Sequence, residues 1–272
     1  MSLAISIVLF ENGDELDGAI ESVLAINANL QLYLIDNSPT DLLKRYANDK
    51  RITYVYNGKN HGYGRAHNIA LHHALNQKIK YHLVMNPDIC FSGGTVEAII
   101  KYMDANLEVG ALIPRVYYES GRLQRLCKLL PTPFDLIGRR FLSNTQWAAR
   151  QNAKYELNKF DYDKILNIPC LSGCFMFLRT AALEKTGLFD ERFFMYLEDY
   201  DLARRINRFY RTVFFPDVSI VHGFKKGSYQ DPKLLRFHIQ SAIRYFNKWG
   251  WFFDKERKRL NDDVLKQISE TY

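Results

Sequence analysis

Carboxylates and amides gather at a few places in this chain where chemistry could be done. Glu198, Asp199 and Asp201 fall within four residues at the start of a helical pattern. Asp36-Asn37-Ser38-Pro39, the segment Asn60 to Asn68, and Asn86-Pro87-Asp88 each follow a short apolar run. Carboxylates so placed can take a proton from an attacking group or hold a divalent cation. Each cluster also has a plainer explanation. Acids in a first helical turn complement the helix dipole, and Asp36 with Ser38 can make an Asx turn unaided. The dipole does not explain why an aromatic-rich run, Phe189-Asp190-Glu191-Arg192-Phe193-Phe194, leads into Glu198.

Positioning these groups falls to alternating strands and helices. Ile5 to Phe10, Leu30 to Ile35, Ile52 to Tyr56, Tyr81 to Met85 and Val109 to Ile113 read as short buried strands. Glu15 to Ile26, Gly64 to Gln77 and Thr95 to Ala105 read as the helices between them. That alternation predicts an α/β fold, a mostly parallel central sheet flanked by helices. From Tyr117 to Asn167 the rhythm fails, and loops with short helices are expected. It returns with a strand at Cys174 to Leu178, helices from Thr180 and over Glu198 to Arg208, and strands at Thr212 to Phe215 and Val218 to Val221. Open sheets of this kind bind ligands beyond the carboxyl ends of their strands. Asp36, the Asn60 to Asn68 segment and Asp88 are expected there.

A chain of 272 residues, 47% hydrophobic and 14% aromatic, buries a core without staples. Its composition excludes a disordered chain, a collagen-like fibre and a disulfide scaffold. No stretch approaches the roughly 20 apolar residues of a spanning helix, and no basic-then-apolar leader pattern opens the chain. Cys90, Cys127, Cys170 and Cys174 lack C-x-x-C spacing, which argues against zinc and predicts a reduced, cytoplasmic setting. The net charge is +7, yet from Lys225 onward eleven Lys/Arg face six Asp/Glu. A basic surface over the whole chain would predict nucleic acid. A basic end predicts no nucleic acid and points to an anionic membrane or a lipid phosphate instead. There, Leu235, Ile239, Ala242, Ile243, Phe246 and Trp249 have the spacing of an amphipathic helix, with Lys233, Arg236, Arg244 and Lys248 elsewhere around it. Residues 233–259 are a candidate for peripheral contact with the inner face of a cytoplasmic membrane. The alternative is that the apolar face packs on the rest of the chain.

Other chemistries leave no trace. Gly62-Tyr63-Gly64-Arg65-Ala66-His67 begins like a dinucleotide fingerprint but lacks the third glycine and follows the third strand. Neither a G-x-x-x-x-G-K-[ST] phosphate loop nor a G-x-S-x-G elbow is present.

Taken in order, the motifs resemble glycosyltransferase family 2, most closely its rhamnosyltransferase-like branch of bacterial surface-polysaccharide biosynthesis. The resemblance rests on Ile5 to Phe10, Ile35-Asp36-Asn37-Ser38, Asn60 with Gly62, Gly64 and Asn68, Asn86-Pro87-Asp88, Ser172-Gly173, the Phe189 to Phe194 run, Glu198-Asp199 and His222. It covers about residues 3–224, hardly touching 117–167. It implies a GT-A fold, a nucleotide-sugar donor and inversion at the anomeric carbon. Residues 1–224 then form one catalytic domain, with a nucleotide-sugar half at 1–115 and an acceptor and catalytic half at 116–224. A basic amphipathic helical extension follows over 225–272.

By that resemblance Phe10, Glu11, Asp36, Asn60, Gly62, Gly64, Asn68, Asn86 and Asp88 belong to the nucleotide-sugar site, with Asp36 meeting the base. Asp88 stands at the last position of the family's D-x-D motif and His222 at a second metal-side contact, for Mg2+ or Mn2+. Asn86 in the first position leaves Asp88 as the main carboxylate ligand. Asp199 stands where the family has its catalytic base, with Glu198 beside it.

The physics of such a reaction asks for carboxylates at two separated places. Breaking a sugar–phosphate bond loads charge onto a diphosphate, which a divalent cation offsets. Inversion needs a proton acceptor on the opposite face of the sugar. The expected reaction moves a sugar, L-rhamnose from dTDP-rhamnose by the branch resemblance, to a saccharide or lipid-linked saccharide. A UDP-sugar donor is the alternative. A nucleotidyltransferase would carry a basic Gly-rich loop after the first strand, where this chain has the acidic Phe10-Glu11-Asn12-Gly13-Asp14-Glu15. A non-catalytic sugar-binding module would not need Asp88, Asp199 and His222 together.

Overall fold

Apolar runs too continuous to face water on either side form the inner strands. In the computed structural model, which describes residues 3–138, 145–223 and 231–271, these are β1 (Leu3–Leu9), β2 (Leu30–Asp36) and β4 (Tyr81–Met85). All three are buried along nearly their whole length, as strands covered on both faces must be. The half-exposed β3 (Ile52–Tyr56) lies at one edge. The others are β5 (Ile89–Cys90), β6 (Val109–Tyr117), β7 (Leu166–Asn167), β8 (Phe175–Arg179) and β9 (Arg211–His222).

One sheet runs in the order β3-β2-β1-β4-β8-β6-β9-β5, with β7 also paired to β9. The first four of these strands are parallel, as are β6 and β9, while β8 enters antiparallel between β4 and β6. The two longest ladders, β6–β9 and β1–β2, are parallel. β1–β2 runs from Leu3↔Leu30 to Leu9↔Asp36, whereas β6–β8 joins only Ala111↔Leu178 and Leu112↔Phe177.

Register gathers the chemistry at one edge. Asp36 pairs with Leu9 and Tyr56, Met85 with Ile7 and Phe175, and Ile89 with His222. The ends of β1 to β4 and of β9 therefore meet the start of β8. Strand order reverses between β1 and β4, the switch point at which open α/β sheets take ligands.

Period-two alternation along β1 assigns the helices to two faces. Ala4 meets Tyr33 and Ile35 under the alanine face of α2 (Tyr63–Asn76), which presents Ala66, Ala70 and Ala74. Leu3, Ile5, Ile7 and Leu9 point into the larger core with buried residues of α1 (Glu15–Leu24) and α3 (Thr95–Ala105). The remaining helices are α4 (Gln146–Tyr155), α5 (Thr180–Thr186), α6 (Glu198–Ile206), α7 (Pro232–Trp249) and α8 (Lys255–Thr271).

One feature departs from the pattern reading, and one decides between two readings it left open. The strands expected at Thr212–Phe215 and Val218–Val221 are one strand, β9, whose register on β6 slips between Phe215 and Ser219. Pro216 in that slip has no N–H for the ladder, so the apolar pattern breaks without ending the strand. The apolar face of α7 is also largely occupied. Ala242, Tyr245 and Phe246 pack with Leu136, Phe193 and Leu197, and Trp249 donates its indole N–H to Asp201 at 2.9 Å. Lys248 is not a solvated charge either, because its Nζ lies 2.8 Å from Asp190 and 2.7 Å from Asp201.

The last helices are tied to α6 by a buried ion network. Arg204, 1% exposed, meets Asp254 at 2.6 Å and Glu256 at 2.9 Å, with its guanidinium over the Trp249 ring. Removing one partner of such a network costs about 3–5 kcal/mol, because it strands the other charge. Val264 and Ile268 of α8 enter the main core. The expected domain boundary at 224/225, with Lys225 and Lys226, lies outside the described residues. No described helix is long and apolar enough to cross a membrane.

Candidate active site

At the end of β2, Asp36 has no exposed surface. One of its oxygens accepts the Ser38 N–H at 2.8 Å and the other the Tyr54 hydroxyl. Each oxygen keeps a further lone pair. Burial, reinforced by Asp36, raises the Tyr54 pKa, so its hydroxyl stays a donor. The Ser38 hydroxyl accepts the Glu11 N–H at 2.8 Å, which ties the ends of β1 and β2 together. Beside them Phe10 is 47% exposed, and Glu11 has a left-handed φ of 52°. Asn37 extends the polar edge, accepting from Asn57 at 2.9 Å and donating to the Gly62 carbonyl at 3.2 Å. Asn60 Oδ1 takes the Gly62 N–H at 2.9 Å.

Gly62, Gly64 and Asn68 lock α2 against residues 189–197. Gly62 has φ 85°, and a Cβ there would lie 2.2 Å from the Phe194 carbonyl oxygen. The next residue, Tyr63, donates its N–H to that same oxygen at 2.9 Å. At Gly64 a Cβ would come within 2.9 Å of the Phe189 side chain. Asn68 clasps the Phe189 backbone, accepting its N–H at 3.0 Å and donating to its carbonyl at 2.9 Å.

The segment so held ends in strain. Tyr196 and Leu197 both take left-handed φ angles, 71° and 67°, each costing about 1–3 kcal/mol outside glycine. They deliver Glu198 and Asp199 into the first turn of α6. Asp199, half-buried, accepts the Gly173 N–H at 2.8 Å and the Tyr200 N–H at 2.9 Å. Glu198 is 4% exposed, and its Oε2 finds no hydrogen-bond partner among the described residues. Burial raises both carboxyl pKa values. For Glu198 the Asp199 charge adds to the rise, whereas backbone N–H groups hold Asp199 back.

Tyr63 links this side to the other. Its hydroxyl lies 2.6 Å from the Gly173 carbonyl and 3.1 Å from Asn86 Oδ1. Beyond Asn86, His222 Nε2 lies 3.4 Å from Asp88 Oδ1 and 3.3 Å from Asn86 Nδ2. Gln124 brackets the same imidazole, contacting both Nδ1 and the His222 carbonyl. Burial opposes a charge on His222, but Asp88 and the Cys174 thiol outweigh it and push its pKa up to about 10. A divalent cation on the Asp88 oxygens would reverse that balance.

The structure thus brings Asn86, Asp88 and His222 together, and across Tyr63 from them Glu198 and Asp199. Phe10, Glu11, Asp36 and Asn60 lie further along the same edge. Tyr63 and Gln124 were given no role by the sequence. Tyr63 was visible only inside the truncated glycine motif, and Gln124 lies in the stretch whose rhythm fails. A separate cavity of about 370 Å³, lined by residues including Glu108, Asn167, Arg208 and Gln267, opens at the opposite ends of the strands and contains none of these groups.

Comparison with known proteins follows the same residues. The family model described as glycosyl transferase family 2 matches residues 4–187, a span that includes Asp36, Asn60 to Asn68 and Asp88 but stops before Glu198. An N-acetylglucosaminyl-diphospho-decaprenol L-rhamnosyltransferase of Mycobacterium tuberculosis is 25% identical, over 85% of this chain and 78% of its own length. The rhamnosyltransferase WbbL of Escherichia coli K12 is 23% identical, over 89% of this chain and 91% of its own. Among solved structures, a mannosyltransferase from Pyrobaculum calidifontis, in complex with GDP-Man and Mn2+, superimposes with a TM-score of 0.57 at 16% identity. That alignment covers 99% of this chain and 75% of the other. The shared architecture is the GT-A fold.

Proposed function

The chain belongs to glycosyl transferase family 2, and we propose that it transfers L-rhamnose, with inversion, from a nucleotide-diphosphate donor to a saccharide or lipid-linked saccharide. One observation carries this reading. Gly173 fixes Asp199 with its N–H and receives the Tyr63 hydroxyl on its carbonyl, while Tyr63 also reaches Asn86. A carboxylate and the Asp88–His222 pair therefore face each other across one hydroxyl, as two-sided chemistry at an anomeric carbon requires. The names of the rhamnosyltransferase relatives support the sugar, and the mycobacterial one supports a lipid-linked acceptor.

In this mechanism an acceptor hydroxyl forms its bond to the anomeric carbon as the bond to the diphosphate breaks. Its proton passes to a carboxylate oxygen of Asp199. Two backbone N–H groups favour the charged form of Asp199, while burial and the neighbouring charge keep Glu198 protonated. The adjacent acids are thereby separated into one base and one neutral neighbour.

Asp88 and His222 would hold a Mg2+ or Mn2+ ion, which supplies Lewis-acid stabilisation of the departing diphosphate. The donor set fits such an ion. Among the described residues no three His, Cys, Asp or Glu side chains form a cage, and Mg2+ is commonly held by one or two carboxylates plus substrate phosphates and water. Phe10, Glu11 and Asp36 are assigned to the nucleoside, with Asn60 and Asn86 nearer the diphosphate. Gly62, Gly64 and Asn68 act indirectly, through the 189–197 segment. The helices α7 and α8 are read as an extension that braces the catalytic domain.

A panel of nucleotide-sugars with Mg2+ or Mn2+, read by thermal stabilisation and by nucleotide release, tests the proposal. dTDP-L-rhamnose should stabilise the protein and be turned over. A response to UDP-sugars alone would reassign the donor, and silence toward every nucleotide-sugar would contradict the reading.

A further inference from the structure

Between α7 and α8 the chain presents Phe252, 77% exposed, and Phe253, 98% exposed, more than any other large apolar side chain among the described residues. A slack loop would fold such rings inward, since burying each is favourable by about 1.5–3 kcal/mol. This connection is braced. Gly250, at φ 100°, turns the chain out of α7, and a Cβ there would lie 3.0 Å from the Phe253 carbonyl oxygen. Trp251 packs back on the Phe246 ring at 5.2 Å and donates its indole N–H to Asn247. The buried Arg257 donates to the carbonyls of Trp251, Phe252 and Pro131, each at 3.3 Å. The two rings are held outward by a scaffold fixed on both sides.

Among the described residues, the neighbouring charges that no ion pair engages are basic. Lys255 and Lys258 are exposed at the start of α8, and Arg244 is exposed one turn before Asn247 on α7. The neighbouring acids Asp254 and Glu256 are already engaged by Arg204 and Arg208. We propose that the Trp251–Phe253 turn is a membrane-docking tip: Phe252 and Phe253 enter the headgroup region of an anionic bilayer while Lys255, Lys258 and Arg244 meet its phosphates. Aromatic rings flanked by lysine and arginine suit that interface. Two rings of about 200 Å² each fall well short of the roughly 800 Å² per partner of a stable protein interface. The face of α7 that the sequence offered to a membrane is used inside the protein, and the contact moves to the turn after it.

The tip adjoins the acceptor side. Trp251 packs on Phe246, which shares an apolar cluster with Leu197, the residue before Glu198. Docking there places the Asp199 side near a lipid-linked acceptor. That last link rests on the function proposed above, and the docking itself does not.

The test is flotation of the full chain with vesicles of phosphatidylcholine alone or with roughly a third phosphatidylglycerol, at low and high salt. The protein should float with the anionic vesicles and less so at high salt. Phe252→Ser with Phe253→Ser should lower the bound fraction about tenfold or more, whereas Phe252→Leu with Phe253→Leu should retain it. Lys255→Glu with Lys258→Glu should weaken binding and flatten its salt dependence. Transfer to a water-soluble acceptor without membranes should be the same in all variants, which separates a failure of docking from a failure of the proposed reaction. A wild-type protein that stays unbound, or a Ser variant that floats like it, overturns the proposal. A dimer that forms without vesicles and is dissolved by the Ser substitutions would give the tip to a second copy instead.

Discussion

Gln124 grips His222 at two points: its Oε1 lies 3.0 Å from Nδ1, and its Nε2 donates to the His222 carbonyl at 3.0 Å. The carbonyl can only accept, so the amide orientation is fixed and Nδ1 must carry the proton. Nε2 is thereby turned toward Asp88. Gln124→Ala should lower apparent metal affinity about ten- to hundredfold, the scale of losing a partner that orients a ligand histidine. Gln124→Glu, which still accepts from Nδ1, should fall between. Titrating Mn2+ against donor binding measures both, and an unchanged affinity in the alanine variant would remove Gln124 from the site.

Asp88→Ala should abolish transfer and metal-dependent donor binding while the chain still folds, because the Asp88 side chain is 23% exposed and contributes little to the core. The lost contact with His222 should lower the thermal midpoint without unfolding the protein. Full turnover in that variant, or in excess chelator, would take the cation out of the mechanism.

Gly62→Ala should destabilise the fold by about 3 kcal/mol or more, since it combines a left-handed φ with a backbone collision. Gly93→Ala is the control, because a Cβ there meets nothing within 4 Å. It should stay within about 0.5 kcal/mol. Equal midpoints for the two in chemical denaturation would refute the close approach of α2 to Phe194.

Ser6 sits between two buried histidines, 2.7 Å from His67 Nδ1 and 2.8 Å from His82 Nε2. Burial lowers the pKa of both, that of His82 to about 3. Their folded values lie below the unfolded one, so the stability they confer is complete above about pH 6.5 and lost as pH falls toward the folded values. Two added protons on unfolding give a slope of up to about 2.7 kcal/mol per pH unit. Glu198 acts in the opposite direction, because its pKa is raised in the fold. Asp199 and His222, whose pKa values are also raised, do the same. Urea denaturation between about pH 7 and pH 5 of the parent and of a His67→Gln, His82→Gln protein measures the histidines' share as the difference in slope. Equal slopes would mean that they are protonated or solvated in the native state.

The strand–helix alternation made the α/β sheet legible, since both follow from hydrophobic period alone. Antiparallel β8 was visible as a strand but not in its direction, which is set by pairing with β4 and β6 rather than by its own residues. β5 and β7 are two residues long and carry no period. In the candidate site, Asp88, Asp199 and His222 stood out by residue type and order. Asn68 and Gly62 stood out equally, but their hold on the backbone of residues 189–197 is set by partners more than 120 residues away and was not legible. Gln124 was illegible because its partner is 98 residues away. Phe252 and Phe253 lie past the amphipathic spacing, which ends at Trp249, and inside the 233–259 candidate they carry no period; only the packing of Phe246 and Trp249 shows which aromatic residues remain outside.

The central claim is that Asp199 takes the acceptor's proton across the site from Asp88. Its most direct test is Asp199→Asn, assayed for dTDP-L-rhamnose binding and for transfer under saturating donor. Donor affinity should hold while turnover falls by at least about a hundredfold, because the amide cannot accept a proton at neutral pH. Turnover near the wild-type level with donor affinity intact would contradict the account, and a lost donor affinity with turnover intact at saturation would contradict it by making Asp199 a donor ligand.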